Sequence, residues 1–170
     1  MKPFIIWFIM YSIMPAIKIA SFQPSYQHGV DELLHSITPE YAEPFYDPLG
    51  KKMEDLYLLS GRSYWVALVD GLVAGTVGVI ISKEYAILKS LFVAKAYRGG
   101  QLQLASKLLE TATGLAIKEK CPVIYLGTMK QFEAAQRFYE KHGYMQIDAT
   151  NMPADIPPNE YDTVFYKKDL

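Results

Sequence analysis

The sequence is short of the residues that build covalent and metal-held frameworks. Its 170 residues include one cysteine, Cys121, so no internal disulfide can form and a stapled scaffold is excluded. His28, His35 and His142 lie far apart. No Cys/His grouping has ligand spacing, and no metal is expected. Excess charge is also missing. Lysine plus arginine number 17 against 18 acidic residues, a formal net charge of -1, so the electrostatic footprint of a nucleic-acid binder is lacking. There are no internal repeats and no low-complexity tracts. A helix that crosses a bilayer needs roughly 20 apolar residues, and the apolar run from Phe4 to Met14 falls short of that.

What remains is ordinary globular material: 51% hydrophobic and 21% charged. The length suits one compact domain. We place that domain at residues 17–170, behind an apolar segment at 1–16 that carries Lys2. Three readings of this segment stand: a secretion signal without an A-x-A-like cleavage site, a short membrane-associating or packing segment, and an upstream start with Met14 as the initiator. A cytoplasmic protein is expected, with export or envelope association through residues 1–16 as the alternative. Membrane contact is expected only if Phe4 to Met14 is retained as an anchor.

Periodicity sketches the elements. IKIASF (17–22) alternates as a strand, and Val30, Leu33, Leu34 and Ile37 follow at helical spacing. Pro39 and Pro44 interrupt the chain. Asp47-Pro48 starts a helix carrying Leu49, Met53, Leu56, Tyr57 and Ser60, which Gly61 stops. YWVALV (64–69) and LVAGTVGVII (72–81) flank Asp70-Gly71, a two-residue hairpin turn. A strand at 85–93, a helix at 101–118, a strand at 122–126 and a helix at 131–141 follow. Strands at 144–147 and 161–166 close the chain around a proline-rich loop, MPADIPPNE (152–160). The order β-α-α-β-β-β-α-β-α-β-β gives an α/β (α+β) domain around one mixed, mostly antiparallel sheet. Such an order does not define a function.

Two stretches carry chemistry. In LKSLFVAKAYRGGQLQLASKLLETA (88–112) a strand ends at Val93, a turn holds Arg98, Gly99 and Gly100, and a helix begins. Free N–H groups at a helix start bind anions, glycines let a phosphate approach the backbone, and arginine adds charge-assisted hydrogen bonds. The Gly-Lys-Ser/Thr ending of a P-loop and a full G-x-G-x-x-G are both missing. By itself the turn is equally an anion site or a solvated turn. The second stretch, IYLGTMKQFEAAQRFYEKHGYMQI (124–147), leads a buried strand into a helix that ends in Phe138-Tyr139-Glu140-Lys141-His142-Gly143-Tyr144.

Together these stretches resemble the GCN5-related N-acetyltransferase (GNAT) family. V-x-x-x-x-R-G-x-G-x-G/A corresponds to Val93, then Arg98-Gly99-Gly100 through Ala105. A-x-x-F-Y-E-K-x-G-F/Y corresponds to Ala135 through Tyr144. The element order matches the family fold over about residues 17–170. The resemblance implies transfer of an acetyl group from acetyl-CoA to a primary amine of a small molecule or peptide. A non-catalytic acyl-CoA-binding or regulatory module is the alternative, and a homodimer is left open. It implies that Leu91, Phe92 and Val93 meet the pantetheine arm, and that backbone groups from Arg98, Gly99 and Gly100 through Gln103, Leu104 and Ala105 meet the pyrophosphate. It implies that Tyr139 is the general acid.

The sequence departs from the pattern in places. Gln103 falls near a family glycine. Phe132 stands where an asparagine often faces CoA, with Gln131 and Gln136 as substitutes. The general base is poorly marked: Glu84 is the candidate, competing with an exposed turn charge beside Lys83, whereas Lys89 nearer the family position would repel an ammonium. Cys121 reads as a structural thiol, because an acyl-cysteine route needs an activated thiolate. Tyr41, Phe45, Tyr46 and Tyr57 either shape the acceptor pocket or pack.

Overall fold

A computed structural model describes residues 14–45, 53–57, 61–156 and 159–170. The N-terminal apolar run up to Ile13, the Asp47-Pro48 helix start, Tyr46, Leu49 and Ser60 lie outside the described residues. The elements are β1 (Ile17–Ser21), α1 (Gln27–Ile37), α2 (Met53–Tyr57), β2 (Arg62–Val69), β3 (Leu72–Ile81), β4 (Ala86–Val93), α3 (Leu104–Lys118), β5 (Val123–Thr128), α4 (Glu133–Lys141), β6 (Met145–Ile147) and β7 (Val164–Asp169), with short 3-10 turns between some of them. The order is the one expected from periodicity.

The strands form one sheet in the order β1-β2-β3-β4-β5-β7-β6. Neighbours are antiparallel except β4 and β5, which run parallel. Alternation along each strand sends side chains to two faces. Tyr64, Val66 and Leu68 of β2 pack with Val30 and Leu34 of α1 and with Met53 and Tyr57 of α2. Ala67 and Val69 belong instead to the larger core, with Leu104, Leu108, Leu109, Ala112 and Ala116 of α3 and Tyr139 of α4. One sheet face therefore carries α1 and α2, and the other α3 and α4. The hairpin turn holds Asp70 at φ 49° and Gly71 at φ 84°, the positive angles a two-residue turn needs to match strand twist.

Some boundaries differ from the sequence reading for local reasons. The third helix begins at Leu104, not at residue 101, because Gly99 (φ 68°), Gly100 (φ 63°) and Gln103 (φ 48°) hold left-handed backbone that no α-helix continues. Helix α4 begins at Glu133 because Phe132, at ψ 52°, is not helical. The last strand starts at Val164 rather than 161. Asp162 N–H donates to the Asn159 carbonyl in a turn, and ladder pairing with β5 begins only at Val164.

Strand β4 carries a bulge. Thr76 pairs with Phe92 and Gly78 with Lys89, so Ser90 and Leu91 together face Val77. Ser90 sits at φ 52°. The hydroxyl of buried Thr76 donates to the Ser90 carbonyl at 2.9 Å, so a group displaced from the ladder is satisfied. Such an extra residue bends the strand and re-aims its end.

Candidate active site

β4 and β5 pair only through Ala86↔Ile124, Ile87↔Tyr125 and Leu88↔Leu126. Beyond Leu88 the bulge turns β4 aside. β5 runs on beside β7 as far as Thr128↔Val164. A wedge therefore opens between the end of β4, with half-buried Leu91 and Phe92 and buried Val93, and Gly127 and Thr128 of β5.

The chain then makes the glycine turn. Around Gly99 and Gly100 there is open space where a Cβ would stand. Helix α3 has no side-chain N-cap hydrogen bond and no acidic residue in its first turn. Its leading N–H groups are thus unclaimed by side chains and aligned with the helix dipole. Gln103, at the start, holds φ 48° and ψ 40°, so the residue near a family glycine adopts a glycine-like conformation. Leu104 is buried and Ala105 half-buried, which leaves their backbone as the part able to meet a ligand.

Arg98 is placed differently from the expectation of a free phosphate ligand. Its Nε donates to the Val93 carbonyl at 2.8 Å, and its two terminal nitrogens grip the Glu40 carboxylate at 2.8 and 2.9 Å. It clamps the segment after α1 onto the end of β4. Nearby, Tyr41, Phe45, Phe92 and Phe132 form a ring cluster. The Gln131 amide donates to the Glu43 carbonyl at 2.8 Å and accepts from the Glu43 N–H at 3.0 Å. Phe132 is thus a packing residue beneath residues 41–45. Gln136 donates to the Met129 and Lys130 carbonyls, so both glutamine amides already serve the backbone.

Tyr139 lies in the core on the α3/α4 face, beside Phe138, Tyr144 and Tyr166. Burial pushes its phenol pKa well up, and Tyr144 and the charge of Asp162 add to the shift. Glu84 is not brought to the wedge. It is exposed in the turn before β4, and at about 3.3 Å per residue it stands about 16 Å from Lys89 at the mouth of the wedge. Its N–H caps the Ser82 hydroxyl at 3.2 Å. Cys121 is buried, its thiol 3.5 Å from the Ser82 carbonyl, and burial raises its pKa. His142 bridges Ser106 and the Phe138 carbonyl at the end of α4. Among the described residues no cluster of three or more His, Cys, Asp or Glu side chains is arranged to hold a metal, and no helix is long and apolar enough to cross a membrane.

A group the sequence reading missed stands at the mouth of the wedge. Lys89 and Gly127 are the first residues past the last β4–β5 pair. The Asp162 carboxylate lies against the Cα of Gly127, where any Cβ would collide with it, and Lys89 Nζ is 3.4 Å from that carboxylate. Lys89 was expected to repel an ammonium, but in place its charge is balanced. No motif marks Asp162. It follows a proline-rich loop, and only the parallel β4–β5 pairing reveals what that loop folds over. The pair lines a cavity of about 420 Å³ under the loop.

Comparison with known proteins agrees with this architecture. The model of the acetyltransferase (GNAT) family matches residues 30–144, and the chain belongs to that family. The probable N-acetyltransferase camello of Xenopus tropicalis is 31% identical over 125 residues, 69% of this chain. The chain spans 56% of that protein's length. The crystal structure of a GNAT-family acetyltransferase from Staphylococcus aureus Mu50 superposes with TM-score 0.80 at 30% identity, covering 91% of this chain and 99% of the other. The PaiA N-acetyltransferase of Thermoplasma acidophilum, in complex with coenzyme A, shares the fold at TM-score 0.69 and 17% identity, over 91% of this chain and 99% of that one.

Proposed function

We propose that the protein moves the acetyl group of acetyl-CoA directly to a primary amine of a small molecule or peptide. The observation that carries this is the β4–β5 wedge, which ends beside the left-handed turn and uncapped start of α3; Tyr139 packs in the core on the α3/α4 side of the sheet. Family membership and the coenzyme A bound by a protein of the same fold support it.

Acetyl-CoA is a substrate in this reading. Its pyrophosphate lies on the N–H groups from Gly99 and Gly100 through Gln103, Leu104 and Ala105, and Arg98 reaches it by leaving Glu40. The pantetheine arm follows Leu91, Phe92 and Val93. The amine, once it has lost a proton, attacks the thioester carbonyl, and the carbon–sulfur bond breaks as the tetrahedral centre collapses. Tyr139 donates to the departing sulfur. A phenol pushed above its ordinary value near 10 stays protonated through the neutral range. Full transfer to a thiolate whose own value is about 8.5 is uphill, so Tyr139 acts mainly by hydrogen bonding to the developing charge.

The test is release of CoA thiol with a broad amine panel, for the wild type and Tyr139→Phe. The expected result is turnover with at least one amine, and a variant that binds acetyl-CoA normally but turns over at least tenfold more slowly. A fully active variant across substrates and pH removes Tyr139 from the mechanism. Tight CoA binding with no turnover of any amine favours the non-catalytic binding module.

A further inference from the structure

The cavity beside the wedge has a chemistry of its own. It lies on the α1/α2 face: Lys89 pairs across the sheet with Gly78, whose own Cβ would strike the Tyr57 ring of α2, and cross-strand partners share a face. Tyr139 lies on the opposite face, yet the charge of Asp162 is near enough to shift it. Its ring lies 6.2 Å from that of Tyr166, which pairs with Leu126 beside the Gly127 that Asp162 covers, so the cavity and Tyr139 flank the same stretch of β5 from the two faces of the sheet. The Lys89 and Asp162 side chains retain 22% and 11% of their exposure. The rest of the lining is largely apolar, with Ile87, Met152, Pro153, Ile156 and Phe165.

Resting on the acetyl-transfer reading, we infer that this cavity is the acceptor site and that its substrate is a compact α-amino acid with an apolar side chain. Asp162 holds the substrate ammonium at the wedge and Lys89 holds the carboxylate. The charges decide this. The floor of the cavity presents one cation and one anion 3.4 Å apart. A zwitterion laid across them in the opposite order gives every charge a neighbour of opposite sign and leaves the site neutral, which limits the desolvation cost of burying ions. A polyamine brings a second positive charge toward Lys89. A peptide N-terminus brings an ammonium to Asp162 but an uncharged amide to Lys89. The volume of about 420 Å³ holds an amino acid with a side chain up to aromatic size.

The step balances with groups on the page. The ammonium held by Asp162 gives up one proton, by way of Asp162 or water. The free amine forms the new carbon–nitrogen bond as the carbon–sulfur bond breaks; the nitrogen sheds its second proton as the tetrahedral centre collapses, and the departing sulfur takes up one proton from Tyr139, which that second proton restores. The products are an N-acetyl amino acid and CoA.

The experiment measures CoA release by the wild type with L-leucine, L-methionine and L-phenylalanine, with their carboxamides, and with spermidine and a tetrapeptide. Lys89→Met is measured on the same set. The expected wild-type kcat/KM is about 10- to 100-fold higher for the acids than for their amides, the range of a charge-assisted contact. In Lys89→Met that acid-over-amide preference collapses to within threefold. If acids and amides perform alike in the wild type, or spermidine or the tetrapeptide is preferred, the inference is overturned and the acetyl-transfer reading stands. If Lys89→Met loses acids and amides equally, Lys89 only shapes the loop and its role as a carboxylate reader is overturned. If no amine releases CoA, the reading beneath the inference falls with it.

Discussion

The proposed site makes Glu40 and the pyrophosphate rivals for one guanidinium, and Glu40→Gln tests the rivalry. The pair is bidentate at 2.8 and 2.9 Å, with side-chain exposures of 35% for Arg98 and 19% for Glu40. A pair this open to solvent contributes about 0.5–1 kcal/mol after screening. That amount opposes any ligand that must draw Arg98 away. Removing the carboxylate lifts the opposition and also takes one negative charge from the path of a polyanion. Affinity for CoA should therefore rise about two- to fivefold, while the folded state loses up to about 1 kcal/mol. Isothermal calorimetry at low and moderate salt measures the first effect, which should shrink with salt. Urea unfolding measures the second. An unchanged or weaker affinity in Glu40→Gln, beside an Arg98→Ala variant that binds CoA as well as the wild type, would refute the reasoning. Arg98 would then be a clamp between Glu40 and Val93 and nothing more.

Other outcomes follow from single residues. Gln103→Gly should relieve left-handed strain and leave stability equal or up to about 1 kcal/mol higher, with CoA affinity retained; a loss in urea unfolding counts against the observed turn. Leu108→Ala should lose about 2–5 kcal/mol, because Leu108 is fully buried in the core of α3 and the sheet. Gly127→Ala should push the Asp162 carboxylate from its place and raise the acceptor KM at least tenfold with CoA binding unchanged; equal KM values would place the acceptor elsewhere. Burial raises the phenols of Tyr85, Tyr144 and Tyr166 to about 12, with Asp155 beside Tyr85 and Glu140 beside Tyr166 adding to the shift. These groups hold their protons more tightly when folded, so their contribution is complete below about pH 10 and declines from there toward about 12. Unfolding free energy should be level from pH 7 to 9 and fall by pH 11.

Much of the fold was legible because its signals are local. The Asp70-Gly71 turn fixed the β2–β3 hairpin, and the spacing of Val30, Leu33, Leu34 and Ile37 matched one buried helix face. Failures came where backbone or distant pairing decides. The start of α3 moved because Gln103 takes a conformation its residue type disfavours. The pairing of Arg98 with Glu40, 58 residues away, had no sequence signal. Glu84 was chosen by proximity to β4, although strand geometry carries it away from the wedge. Asp162 escaped notice because its importance depends on Gly127 leaving room for it, a contact between β5 and the turn before β7.

The central claim is that acetyl-CoA binds in the β4–β5 wedge. A crystal structure of the protein with CoA tests it most directly. The account predicts pyrophosphate oxygens within hydrogen-bond distance of backbone N–H groups between Gly99 and Ala105, and the sulfur between Leu91 and the Tyr139 hydroxyl. CoA bound elsewhere, or a wedge closed by the Tyr41, Phe45, Phe92 and Phe132 rings at saturating CoA, would contradict it.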